Sequence, residues 1–81
     1  MANNKNIPTA HKILSSLLKI ERKQSIKGDA KQIANVIGKS ERCVSAYIRG
    51  EVRDLNTASV ILKELRKLIS NREYEASQLA A

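Results

Sequence analysis

Aromatic residues are nearly missing from this chain: it has no Phe and no Trp, and Tyr47 and Tyr74 are its whole aromatic complement. A core must therefore be built from aliphatic side chains, and 81 residues leave room for one small core only. Strand-like runs of β-branched residues are lacking too. Leu, Ile, Ala, Lys, Arg and Glu recur at helical spacing instead, so helix-on-helix packing is expected. The single cysteine, Cys43, excludes an internal disulfide and with it a disulfide-stapled secreted domain. No stretch approaches the roughly 20 apolar residues of a membrane span, and Met1 is followed by Ala-Asn-Asn-Lys rather than an apolar signal segment. The expected compartment is the cytoplasm, and no membrane partner is expected. His11 has no Cys, Asp or His at metal-ligand spacing, so no metal is expected. There is no nucleophile with a base, no Gly-rich phosphate loop and no carboxylate pair. Neither an enzyme nor a cofactor nor a small-molecule substrate is therefore expected.

What the chain has in excess is positive charge, at a formal net of +7. Residues 1–27 hold six Lys or Arg (Lys5, Lys12, Lys19, Arg22, Lys23, Lys27) against Glu21 alone, which leaves five positive charges. Residues 28–50 leave two, and residues 51–81 balance to zero. Such an asymmetry suits a polyanionic partner, either nucleic acid or an anionic surface, although solubility alone also favours a net charge.

Along the chain, residues 1–8 read as a flexible arm, with unpatterned polar residues up to Asn6. Thr9 offers a cap for a first helix of about fourteen residues, in which Ala10, Ile13, Leu14, Leu17 and Leu18 line one face. Lys12, Ser16, Lys19 and Lys23 line the other. Asp29, with Gln32 three residues on, resembles a capping box for a second helix, where Ile33, Ala34 and Ile37 are inward and Gly38 is the stop. Ser40 caps a third helix with Val44, Tyr47 and Ile48 inward and Gly50 at its end. A fourth starts at Asn56 or Thr57, with Ala58, Ile61, Leu62, Leu65, Leu68 and Ile69 as its apolar face. The expectation is an all-α bundle of four to five helices over residues 9–72 that contains a helix-turn-helix. Residues 73–81 form a C-terminal extension and a candidate dimer contact, because Leu62, Leu65, Ile69, Arg72, Ala76 and Leu79 alternate by threes and fours, as a short coiled-coil seam does.

Two short helices joined at Gly38, with the small Ala34 where they cross, meet the steric needs of a tight helix-turn-helix. The stretch Ala30-Lys-Gln-Ile-Ala-Asn-Val-Ile-Gly-Lys-Ser-Glu-Arg-Cys-Val-Ser-Ala-Tyr-Ile-Arg-Gly50 resembles the motif of the phage Cro and repressor (XRE-like) DNA-binding family. Ile33-Ala34, Ile37-Gly38, Val44 and Gly50 carry the resemblance. Ala30 stands where that family commonly has a phosphate-binding Gln, and Lys39 where it has an apolar residue. Lys31-Gln-Ile-Ala followed by Gly38-Lys-Ser-Glu-Arg is also similar to the LuxR-type helix-turn-helix. Either resemblance implies double-stranded DNA as partner. The first implies operator occupancy by a repressor, with paired half-sites and hence a homodimer.

With Val44, Tyr47 and Ile48 inward, the outward ridge of the helix over 41–49 is Arg42, Ser45, Ala46 and Arg49, with Ser40 and Glu41 at its tip. Arg matches the O6 and N7 of guanine bidentately, Ser bonds to a base edge or phosphate, and Ala46 suits a thymine methyl. Glu41 either accepts from cytosine or simply favours the positive end of its helix. Phosphate contacts are expected from Lys31 and Gln32 in the first turn of the second helix, from Lys39 beside the turn, and from Lys19, Arg22, Lys23 and Lys27. Three other readings stay open: an architectural or recombination-accessory DNA-binding protein, a helical protein-interaction module without base specificity, and an amphipathic membrane-surface protein.

Overall fold

The computed structural model describes the backbone of residues 3–80 and the side chains of residues 9–80. Four helices follow one another, α1 (Asn3–Arg22), α2 (Asp29–Ile37), α3 (Glu41–Ile48) and α4 (Leu55–Ala80), with no strand among the described residues. The long helices α1 and α4 pack together, and the short pair α2 and α3 packs across them. Leu18, Ile33, Val44, Ile61 and Leu65 are wholly enclosed where the four meet. That core is entirely aliphatic apart from Tyr47, as the lack of Phe and Trp requires.

The expected inward residues of α2, α3 and α4 are buried or half-buried against this core. In α1, Ile13 departs: it is 55% exposed, because the buried arc of that helix is centred on Leu18 and flanked by Leu14 and Leu17. Helix starts also shift. α1 begins at Asn3, ahead of the expected cap at Thr9, since adding a residue to a nucleated helix gains a hydrogen bond without needing an apolar side chain. The flexible arm expected over residues 1–8 is thus already helical from Asn3, and its first two residues lie outside the described residues. α4 begins at Leu55, not at Asn56 or Thr57. Asp54 caps it, its Oδ2 accepting from the Thr57 N–H at 2.8 Å and from Thr57 Oγ1 at 2.7 Å. These two bonds, with Lys39 and His11 nearby, hold the Asp54 carboxyl below its ordinary range despite a small opposing effect of burial.

Asp29 is the first residue of α2 rather than its cap; Gly28 takes the cap position and makes no side-chain bond. Its carboxylate is buried and turns back on the preceding loop, accepting from the Ile26 N–H at 2.9 Å and from Ser25 Oγ at 3.2 Å. From α4, Arg72 closes a two-pronged pair on it, Nη1 to Oδ1 at 2.9 Å and Nη2 to Oδ2 at 3.0 Å, and Nη2 also donates to the Gln24 carbonyl at 2.9 Å. Burial pushes the Asp29 carboxyl up, but the Arg72 fork, the Ile26 N–H and Ser25 together bring it below its ordinary value. Leu62, Leu65 and Ile69, three positions of the expected coiled-coil seam, are buried within this chain, and Arg72 is taken by Asp29.

Candidate nucleic-acid interface

The placement of α3 is set at both of its ends. At the start, Ser40 is extended (φ −78°, ψ 153°) and its Oγ accepts from the Cys43 N–H at 3.1 Å. One of the helix's unpaired amides is thereby satisfied. Ahead of it, Gly38 sits at φ 74°, a left-handed conformation that a side chain disfavours by about 1–2 kcal/mol. The Ala34 carbonyl there accepts from both Gly38 N–H (2.9 Å) and Lys39 N–H (3.1 Å), so α2 stops and the chain turns within three residues.

At the far end, Gly50 N–H donates to the Tyr47 carbonyl at 2.8 Å and Glu51 N–H to the Ala46 carbonyl at 3.0 Å, which is a Schellman termination with glycine in the left-handed position. Gly50 also meets α1 closely. Ser15 Oγ donates to its carbonyl at 2.8 Å, and a Cβ at Gly50 would lie 2.5 Å from Lys19 Cε and 2.8 Å from Ser15 Oγ. The buried Tyr47 accepts from the Asp54 N–H through its hydroxyl at 3.0 Å, which ties the following loop to the helix.

With Val44, Tyr47 and Ile48 fixed inward, Ser40, Glu41, Arg42 and Arg49 are exposed and Ser45 and Ala46 are half-buried between them. The ridge is flanked by two clefts of about 350 Å³ each. One, towards α1 and the loop after it, brings Arg22, Lys27 and Ile26 up to Glu41, Ser45 and Arg49. The other brings Arg53 up to Arg42, Ala46 and Arg49. Lys19 lies over Gly50 at the end of α3. Arg22 and Lys27, distant in sequence, thus share one cleft with Arg49, Arg53 shares the other with both Arg42 and Arg49, and Lys19 stands at the end of the same helix.

Not every expected residue joins this group. Lys31 and Gln32 are exposed on α2 but do not line either cleft, and the negative charge that favours the start of α2 is supplied by its own Asp29. Lys39 faces the start of α4, beside Ile37, Asn56, Thr57 and Val60 and close enough to Asp54 to affect its titration. Lys23 is exposed in the turn after α1. The Ser40 oxygen is engaged as a cap, and Arg49 Nε lies 3.2 Å from Glu51 Oε2 in an exposed ion pair of small energetic weight. Arg53 and Ile26 are additions. The sequence signal for Arg53 was its position four residues beyond Arg49, obscured by the helix end at Gly50.

No family model, no curated protein and no solved structure matches this chain. Among the described residues no helix is long and apolar enough to cross a membrane, and no group of three or more His, Cys, Asp or Glu is placed to hold a metal.

Proposed function

We propose that this protein is a sequence-specific transcription regulator of double-stranded DNA that reads the major groove with α3. It acts in the cytoplasm as a homodimer on a pseudo-palindromic operator and represses by occupying it. One observation carries this reading. Arg42, Ser45, Ala46 and Arg49 lie on one side of α3 because Val44, Tyr47 and Ile48 are held in the core, while Arg22 and Lys27 flank that side in one cleft, Arg53 in the other, and Lys19 stands at its end. A convex helical ridge about one helix wide fits the groove, and the flanking cations lie where phosphates border it. Occupancy as the mode of action is supported by the resemblance of residues 30–50 to the Cro and repressor motif.

Selection of bound sequences from random duplex DNA, followed by gel shift, tests this reading. Enrichment of one motif is expected, with affinity falling by about three decades between 50 and 200 mM salt if about six phosphates are neutralised. Arg42→Ala should relax preference at one position by roughly 1–3 kcal/mol, whereas Lys27→Ala should weaken all sequences alike. Uniform, salt-sensitive binding without a motif would instead favour an architectural protein. An Arg42→Ala variant with an unchanged motif would mean that another face does the reading.

A further inference from the structure

The last turns of α4 stand apart from everything described so far. Residues 73–80 continue the helix beyond Arg72, yet all are exposed, with Tyr74 at 67% and Leu79 at 89%. The segment carries two acids, Glu73 and Glu75, and no cation. Because α4 runs unbroken to Ala80, this segment cannot fold back onto its own chain.

A surface of opposite character lies further back on the same helix. Between α1 and α4 is a groove of about 430 Å³ with Leu14 and Leu62 in its floor and Lys63, Arg66 and Lys67 on its rim. Two of the rim cations have acidic neighbours, Arg66 with Glu21 at 3.2 Å and Lys67 with Glu64 at 3.6 Å. The acids are tucked in, at 19% and 20% side-chain exposure, while the cations reach outward at 50% and 62%. The groove thus offers apolar floor and positive rim to solvent. Lys63, Lys67, Ser70 and Tyr74 follow at intervals of four, three and four, so Tyr74 prolongs the groove's own face.

We infer that two copies of this chain pair through antiparallel α4 helices, the acidic, Tyr74-bearing end of each seated in the basic-rimmed groove of the other. This inference rests on the homodimer of the proposed function but not on its DNA. The pairing is isologous: a single two-fold axis places both ends in both grooves, and the same patch serves on each subunit. Tyr74 supplies the aromatic anchor, with Glu73 and Glu75 beside the rim cations.

Sedimentation velocity on the full chain without DNA tests the pairing. The wild type is expected at twice the 9.0 kDa chain mass. Glu73→Lys with Glu75→Lys, and separately Lys63→Glu with Lys67→Glu, should each give monomers, and an equimolar mixture of the two should restore the dimer, because the altered end then meets the altered groove and the native end the native groove, each of opposite charge. Tyr74→Ala should raise the dimer Kd at least about tenfold. All these positions are exposed, and unchanged helicity by circular dichroism keeps the variants comparable. A wild type that stays monomeric at about 100 μM, a scale at which even weak specific pairs associate, overturns the pairing. So does a dimer indifferent to both charge reversals, or a mixture that remains monomeric. A monomer that still selects one DNA half-site removes this interface alone; a dimer that selects no sequence removes the reading of α3 alone.

Discussion

The α2 and α3 pair and the end of α4 make opposite use of a helix. α2 and α3 are nine and eight residues long, below the length at which isolated helices persist in water, and they exist because Ile33, Ala34, Val44, Tyr47 and Ile48 are buried and Gly38, Ser40 and Gly50 settle their ends. Residues 73–80 bury nothing and extend a helix already nucleated and packed over residues 58–69. A short helix held at every turn fixes its outward side chains, as a reading surface requires. An extension held at one end only leaves its side chains open to a partner.

The difference is broken most sharply by two leucines of the same helix. Leu65→Ala, at a wholly enclosed site, should destabilise by about 3–4 kcal/mol, whereas Leu79→Ala should stay within about 0.5 kcal/mol in a monomer. Urea unfolding of both variants measures it, and equal losses would show that residues 73–80 belong to the folded core after all.

Arg72 marks the boundary between the two regimes, and Arg72→Ala should cost about 2–3 kcal/mol by stranding the buried Asp29 carboxylate. Asp29 has a lowered carboxyl in the fold, so its contribution is complete above the ordinary carboxylate range and is lost as pH falls through the lowered value. Stability of the wild type should therefore fall steeply on the acid side, and the fall should be shallower in Arg72→Ala. Thermal melts from pH 6 downward, about where carboxylates are fully ionised, read the difference.

The two glycines that bound α3 should differ as well. Gly50→Ala combines a left-handed backbone with a close approach to Ser15 and Lys19 and should cost about 2 kcal/mol, against about 1 kcal/mol for Gly38→Ala, where a Cβ meets open space. Equal melting temperatures for the two variants would show that α1 yields easily at Gly50.

The interior of α3 was legible because helical periodicity alone sorts Val44, Tyr47 and Ile48 from Arg42, Ser45 and Arg49. Gly38 and Gly50 were legible because few residues other than glycine take positive φ at helix ends. The role of Asp29 was not: read locally it resembles a cap, while its partner Arg72 is 43 residues away and its spacing fits the C-terminal seam of threes and fours. Asp54 carried a local signal, an acid just ahead of Leu55, that the stronger apolar run beginning at Ala58 obscured. The exposure of Ile13 had no local signal, since its spacing fits the apolar stripe and only the packing of α1 onto the core through Leu14, Leu17 and Leu18 leaves it outside.

Periodicity, cap residues and glycine positions, all interactions within a few residues, determined by themselves that this chain is helical, where its turns fall and which side of α3 is polar. Only the tertiary structure decided which distant cations gather round that side, that Arg72 secures α2, and that one end of α4 is left without an inward face. Those outcomes depend on how whole helices cross, and crossing is settled by the fit of many side chains at once, which no local spacing encodes.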